Sequence, residues 1–184
     1  SNVKALSAEY DLPDDDGLMR EILAEVVRLE NEGFQFEAAK ASFALLVQRC
    51  AGSFKPHFER IKYHVEVGFQ SDGTVTNEAT VKVAVNENIR HEVAEGDGPV
   101  NALDAAIRKA LIDTYPQLRE MHLVDYKVRV VNSDAGTAAR IRVFIDCKDD
   151  RDVWGTVGVS ENIIEASWMA LVDAIEYKLY KDEE

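Results

Sequence analysis

Two stretches of the chain, residues 93–106 and 154–167, follow the same order of strand end, turn and helix start. Each is preceded by a run of alternating apolar residues, at 80–85 in the first case and at 140–145 in the second. The aligned pairs include Asn101 with Asn162, Asp104 with Glu165, and Ala105 with Ala166. Self-similarity of this kind is typical of a duplicated supersecondary unit. We therefore predict two copies of one strand-rich unit.

The turn of the first copy has the sequence Gly-Asp-Gly-Pro at residues 96–99. Gly96 and Gly98 allow backbone angles or close approaches that a Cβ atom would forbid. Pro99 suits the first helical position, where its missing N–H has no consequence. Apolar residues follow at helical spacing at 103, 106, 107, 110 and 111. Such a turn leaves helical N–H groups open to a carboxylate or a phosphate.

Before residue 56 the apolar spacing is helical. An acidic run at 14–16 suits a helix N-terminus, and Gly33 marks the end of that helix. A second helix is predicted over residues 34–50, followed by a linker at 51–56 that contains Gly, Ser and Pro. Two helices cannot bury both apolar faces alone, so this arm is expected to pack on another part of the protein.

After residue 56 the apolar period changes from helical to alternating, which indicates half-buried strands. Three strands and a helix are predicted before residue 121, and three strands and a closing helix after it, with Ser160 as the N-cap. The fold class is therefore α+β, a two-helix N-terminal arm followed by two β-β-β-α repeats. The predicted domains are a helical linker at 1–56 and a domain at 57–184, made of repeats 57–121 and 122–184.

Charge and composition exclude several classes of partner. The chain has 21 basic and 34 acidic residues, a net charge of −13, which argues against nucleic acid and anionic membranes. No apolar run is long enough to span a bilayer, and no signal peptide is visible. Cys50 and Cys147 fit no metal or redox spacing, which favours a reducing cytoplasm. Without an initial methionine, the chain is expected to be a fragment of a longer protein.

Catalytic chemistry is disfavoured by the same sequence. The four histidines, His57, His64, His91 and His122, show no ligand spacing, so no metal site is predicted. No acid–base pair or nucleophile cluster stands out either. A self-contained enzyme is therefore the least favoured of the functional hypotheses.

Several motifs resemble the C-terminal regulatory domain of the 2-isopropylmalate synthase and citramalate synthase family. They occur in the family's order and cover nearly the whole chain: residues 33–39 and 41–43 in the arm, and residues 96–99, 123–130, 136–139 and 154–167 in the repeats. The last of these stretches is most similar to the citramalate synthase branch.

The resemblance implies a parent enzyme that condenses acetyl-CoA with a 2-oxo acid, pyruvate in the citramalate branch. Its metal-dependent TIM barrel is absent here, so no cofactor is expected in this chain and a divalent metal is expected only in that barrel. The regulatory domain would form a homodimer, contact its own catalytic domain, and bind isoleucine, or leucine in the isopropylmalate branch. Carried over from the family, the effector site comprises Gly96, Gly98, Val100, Leu123, Asp125, Tyr126, Thr137 and Ala139.

The residues themselves are compatible with an amino-acid site. The helix starts near Pro99 and Ser160 would supply donors for a carboxylate. Asp97 or Asp125 would accept the ammonium group, and an apolar slot would be lined by Val100, Leu123 and Tyr126. Two alternatives stay open: the turn at 96–99 is only a tight turn and cap, or the domain is a dimerisation module without an effector.

Overall fold

The computed structural model describes residues 15–131 and 139–183. The helices are α1 (Asp16–Glu32), α2 (Lys40–Cys50), α3 (Pro99–Leu111) and α4 (Ile163–Asp182), with a 3-10 helix at Pro116–Glu120. The strands are β1 (Glu59–Phe69), β2 (Val75–Val85), β3 (Asn88–Glu95), β4 (His122–Val131), β5 (Arg140–Lys148) and β6 (Val153–Ser160). They form two three-stranded antiparallel sheets, β1-β2-β3 and β4-β5-β6. The predicted α+β fold with two β-β-β-α units is thus confirmed.

The chain separates into two compact units. The arm unit contains the described residues up to Lys55 together with those of Leu123–Cys147 and Val153–Tyr177. The first-repeat unit contains Pro56–His122, Lys148–Asp152 and the chain from Lys178 onward. The helical arm is therefore grouped with the sheet of the second repeat.

In the first-repeat unit, β2 carries the core. Its inward residues Ala79, Val81 and Val83 are fully buried, because α3 packs over β2 and β3. A two-residue turn joins β2 to β3, with Asn86 and Glu87 both at positive φ, as tight hairpins require. The buried face of α3 follows the helical period and comprises Ala102, Leu103, Ala106, Ile107, Ala110 and Leu111.

In the arm unit, β6 is covered on both faces. On one face, Thr156 Oγ1 donates to the Ala170 carbonyl at 2.7 Å, and Trp154 Nε1 donates to the Ala174 carbonyl at 3.1 Å, so α4 lies against this face. On the other face, Val157 and Val159 pack with Ala39 of the arm. The helical arm therefore buries apolar surface against β6, as its amphipathic helices require.

The arm differs from the prediction at one end of α2. Helix α1 begins after Asp15, whose side chain accepts from Gly17 N, and ends at Gly33 in the left-handed conformation, both as expected. Helix α2 begins at Lys40 rather than at residue 34. The intervening residues form an irregular segment, because Phe34 and Phe36 pack into the cluster with Ala39 and Val157 instead of onto a continuous helix.

The duplication is real, but its predicted alignment is wrong by three residues. The helices begin at Pro99 and Ile163, so Ala102 corresponds to Ala166, not Ala105. Ser160 is likewise not the N-cap: it is the last residue of β6, and its Oγ accepts from Asn162 N. The cap of α4 is Asn162, whose Oδ1 accepts from the N–H groups of Ile164 and Glu165 at 2.8 and 3.1 Å.

The first-repeat unit also contains a buried ion cluster around Lys178. Lys178 is fully buried, and its Nζ lies 2.7 Å from Asp149, 2.8 Å from Asp182 and 3.1 Å from Glu120. Lys181 also contacts Asp149. These groups connect the end of α4 to the β5–β6 loop and to the 3-10 helix. Within the described part of the chain, no helix is long and apolar enough to cross a membrane.

Candidate functional site

The turn between β3 and α3 is held by Asn77 of β2. Gly96 N–H donates to the Asn77 carbonyl at 3.1 Å, and Asn77 Nδ2 donates to the Asp97 carbonyl at 3.2 Å. Asn77 is 7% exposed. Sequence reasoning missed this residue, although it carried a signal: Asn77 is a polar residue in the inward register of Ala79, where an apolar one is expected.

The turn presents an open helix N-terminus. Gly98 is the N-cap in an extended conformation, and no side chain caps α3. Ala102 N–H donates to the Gly98 carbonyl at 3.0 Å, which is the first helical hydrogen bond. The backbone N–H groups of Val100 and Asn101 lie before it and have no acceptor within the helix. An anionic group is favoured at this point because the helix dipole adds to these donors.

The two glycines of the turn have different roles. A Cβ atom on Gly96 would lie 2.5 Å from Ala102 N and 2.8 Å from Asn101 C, so Gly96 is required by close backbone packing. Gly98 does not use this freedom: its φ of −146° suits any residue, and the nearest atom to a Cβ there, Asn101 Nδ2, would lie 3.9 Å away. The local fold therefore does not require glycine at residue 98.

Strand β4 carries three of the predicted site residues. Tyr126 is half-buried and its hydroxyl lies 3.0 Å from Ser167 Oγ on α4; Ser167 Oγ in turn donates to the Ile163 carbonyl at 2.7 Å. Tyr126 is therefore the donor of the first bond. Burial raises the pKa of the Tyr126 phenol in spite of this hydrogen bond, so the side chain is a neutral donor with an apolar ring.

Asp125 lies on the opposite face of β4 from Tyr126, as successive strand residues do. Burial raises the pKa of Asp146 on β5, and the negative charge of Asp125 raises it further. Lys127 Nζ lies 3.5 Å from Asp125. Leu123 is half-buried and shares the Asp125 face by strand alternation.

The predicted site residues are divided between the two units. Gly96, Asp97, Gly98 and Val100 lie together at the β3–α3 turn of the first-repeat unit, with Asp97 exposed and Val100 half-buried. Leu123, Asp125, Tyr126 and Ala139 belong to the arm unit, and Ala139 is exposed just before β5. Thr137 lies outside the described residues.

The turn offers hydrogen-bond donors and two side chains of different character. Its donors are backbone N–H groups, and its own side chains are the exposed carboxylate of Asp97 and the half-buried isopropyl group of Val100. Over residues 15–131 and 139–183, no group of three or more His, Cys, Asp and Glu side chains has the geometry to hold a metal ion.

A helical arm followed by two β-β-β-α units defines the class of this protein as a duplicated α+β domain. Comparison with known families makes the class specific. The family described as "LeuA allosteric (dimerisation) domain" matches residues 37–179, and the chain belongs to this family.

Individual relatives are found in two related groups of enzymes. The chain is 48% identical to (R)-citramalate synthase of Geobacter sulfurreducens, in an alignment that covers 100% of the chain and 35% of the relative. It is 48% identical to (R)-citramalate synthase of Aquifex aeolicus, over 90% of the chain and 32% of the relative. With a 2-isopropylmalate synthase of Yersinia pestis it shares 31% identity over 66% of the chain and 21% of that protein. The chain therefore spans about a third of the length of its citramalate synthase relatives, and the predicted resemblance is confirmed.

Proposed function

We propose that this chain is the C-terminal feedback-regulatory domain of a citramalate synthase, and that it binds isoleucine as an allosteric inhibitor. The observation that carries the proposal is the match of the allosteric-domain family to residues 37–179. The identity of 48% with two citramalate synthases, against 31% with a 2-isopropylmalate synthase, favours the citramalate branch and thus isoleucine over leucine.

The turn at α3 supports the binding part of this proposal. The free N–H groups of Val100 and Asn101 suit the carboxylate of an amino acid, because charge-assisted hydrogen bonds are strong and the helix dipole has the right sign. The absence of a side chain on Gly98 leaves this end of the helix uncovered. Asp97 or Asp125 is the acceptor for the ammonium group. The aliphatic side chain would contact the remaining residues of the proposed site, Val100, Leu123, Tyr126, Thr137 and Ala139.

A homodimer is the second part of the proposal. In each unit, the first strand of the sheet has apolar residues that face the same side as the helix but are not covered by it. In the first-repeat unit, Val67 and Phe69 lie on the helix side of β1 and are 40% and 79% exposed. In the arm unit, Val128 and Val130 share the helix side of β4 with Tyr126 and are 39% and 68% exposed. Exposed apolar surface of this kind marks an interaction site.

The parent protein completes the proposal. It would condense acetyl-CoA with pyruvate in a catalytic barrel that requires a divalent metal, in the cytoplasm. The helical linker at 1–56 would transmit the state of the domain at 57–184 to that barrel. Feedback control of this kind needs a coupling free energy of about 1–3 kcal/mol between the effector and the active site.

Calorimetric titration of the 184-residue chain with isoleucine, leucine and valine tests the proposal. We expect saturable heat from isoleucine. Leucine and valine should bind more weakly but still measurably, because the shape of an apolar pocket discriminates only modestly between aliphatic side chains. The Gly98→Ala variant should fold normally and lose affinity, since its methyl group covers the helix end. A folded dimer that gives no heat with any of the three would overturn the effector site.

A dimerisation module without an effector is the competing function, favoured by the bare strand faces of β1 and β4. The thermal unfolding of the wild type and of Gly98→Ala discriminates between the two. A rise in Tm with isoleucine only in the wild type supports an effector site. The same Tm with and without isoleucine in both proteins supports the module.

A further inference from the structure

The arm unit contains a cavity of about 540 Å³ between α1, α2, β6 and α4. This volume falls in the range of small-molecule sites. The cavity is separate from the turn at α3, which belongs to the other unit. Its walls are largely apolar and include Leu29, Phe34, Phe36, Leu46, Met169 and Val172.

One side of the cavity carries a buried carboxylate. Asp173 on α4 accepts from Ser42 Oγ at 2.8 Å and from Arg49 Nη2 at 3.3 Å, and its side chain is only 16% exposed. Burial raises the pKa of Asp173, and the Arg49 charge opposes this effect. Ser42 Oγ is also used as an acceptor, by Val157 N–H at 3.0 Å. The donors of Ser42 and Val157 are therefore already satisfied, whereas each Asp173 oxygen keeps capacity to accept a further hydrogen bond.

Two more carboxylates, those of Glu21 and Glu25, line the cavity on α1. Glu25 is paired with Arg28 at 2.5 Å, which lowers the pKa of Glu25. Glu21 makes no ion pair with any residue in the described ranges. The lining thus has three carboxylates and a single guanidinium, that of Arg49, which also stacks on Phe54 at 4.5 Å.

We infer that this cavity binds a small organic cation with an apolar body, such as a protonated primary amine. The apolar walls accommodate the body, with the rings of Phe34 and Phe36 on one side. The ammonium group pairs with the carboxylate of Glu21, which has no ion pair within the described residues, and donates to the carboxylate oxygens of Asp173 that can accept a further hydrogen bond. An anion of the same shape is disfavoured because the lining has more negative than positive charge. This ligand class and this position differ from those of the amino-acid effector proposed above.

The probe is 2-phenylethylamine, added as its hydrochloride to the 184-residue chain and followed by methyl NMR of Met169 and Val172. Its matched comparisons are 2-phenylethanol and 3-phenylpropanoate, which keep the ring and replace the charge. We expect saturable shifts with the amine, weaker binding of the alcohol and the weakest binding of the anion. Equal affinity for amine and anion, or no saturable shift with the amine, would overturn the inference.

Three substitutions test whether 2-phenylethylamine binds in this cavity. Glu21→Gln should weaken amine binding by up to about fivefold, the value of one exposed ion pair. Glu30→Gln removes the same charge from an exposed position of α1 outside the cavity, and should leave the affinity unchanged. Val172→Phe fills the cavity and should abolish the shifts of Met169, while circular dichroism confirms that the variant is folded. Binding that survives Val172→Phe in a folded protein places the amine elsewhere and contradicts the site.

Isoleucine titrations of the same samples separate this inference from the proposed function. The Val172→Phe variant should bind isoleucine as the wild type does, because the cavity that Val172 lines contains none of the residues of the proposed effector site. Loss of amine binding with isoleucine binding retained supports two independent sites. Competition between the two ligands for the wild type would overturn the assignment of a separate amine site.

Discussion

Ser42 Oγ donates a 2.8 Å hydrogen bond to Asp173 Oδ2, although the two residues are 131 positions apart in the sequence. The same oxygen accepts from Val157 N–H at 3.0 Å. One hydroxyl group on α2 therefore joins the arm to both α4 and β6. Ser42 is 3% exposed, so water does not readily replace it.

We expect Ser42→Ala to destabilise the protein by about 2 kcal/mol, because it leaves a buried N–H group and a buried carboxylate each with one partner fewer. Urea unfolding measures this as a lower midpoint with an unchanged slope. Ser71→Ala in the exposed β1–β2 turn is the matched control and should unfold like the wild type. Identical midpoints for Ser42→Ala and the control would show that the hydroxyl contributes nothing.

The two glycines of the α3 turn provide a matched pair of substitutions. Gly96→Ala places a Cβ atom 2.5 Å from Ala102 N, a backbone atom that cannot move without disturbing the helix. We expect a loss of about 1–3 kcal/mol, as for other overpacked sites. Gly98→Ala meets no atom within 3.9 Å and should change stability by less than about 0.5 kcal/mol. Thermal or chemical unfolding that ranks the two variants in the reverse order would contradict this geometry.

The ion cluster of Lys178 predicts acid sensitivity. Burial alone would raise the pKa of Asp149, but hydrogen bonds from Lys178 and Lys181 and from two backbone N–H groups hold it well below its ordinary range. Because the folded-state pKa is depressed, the stabilisation is present above about pH 4, the unfolded value, and is lost as the pH falls below it. For Lys178, burial alone would lower the pKa, but its carboxylate partners raise it, so its contribution is lost only above about pH 10.

Asp149→Asn should therefore cost about 2 kcal/mol near pH 7, where it removes a charge-assisted pair from a fully buried lysine. The difference in Tm between this variant and the wild type should shrink as the pH falls below about 4, because Asp149 then takes up a proton in the unfolded chain before it does so in the folded protein. Asp150→Asn, at an exposed position of the same loop, is the control. A constant difference in Tm down to pH 2 would show that the charge of Asp149 is not responsible.

Local patterns in the sequence were sufficient for the elements of the fold. Alternating apolar residues identify β2 because Ala79, Val81 and Val83 face one helix, and Gly33 marks the end of α1 because only a left-handed residue fits there. The alignment of the repeats failed for a physical reason: a shift of three residues nearly preserves the helical period, so Ala105 and Ala102 look equally good partners for Ala166.

Long-range contacts could not be predicted in the same way. Nothing in the neighbourhood of Lys178 in the sequence indicates that it is buried, since its partners Glu120 and Asp149 come from distant segments. Strand alternation predicts that Asp125 and Tyr126 lie on opposite faces of β4, but the hydrogen bond of Tyr126 to Ser167, 41 residues away, is not visible in the sequence. The predicted effector site stays a prediction that the titrations above test.

The helix-side face of β4 carries exposed valines. We therefore predict that Val128→Asp weakens the proposed homodimer. Val128 is 39% exposed in the single chain, next to Val124 and Val130 at 46% and 68% on the same face. A carboxylate placed in an apolar interface loses its hydration without a partner. We expect the dimer dissociation constant to rise by at least about tenfold, which corresponds to roughly 1.4 kcal/mol.

Sedimentation velocity over a range of concentrations measures this change, and circular dichroism verifies the fold of the monomer. Arg129→Asp changes the net charge more but lies on the opposite face of the same strand, so it controls for charge repulsion between subunits. Weakening by Val128→Asp alone indicates that the helix-side face of β4 lies in the interface. If both variants remain dimeric with the affinity of the wild type, the subunits meet through another surface, and the exposed valines of β4 need a different explanation.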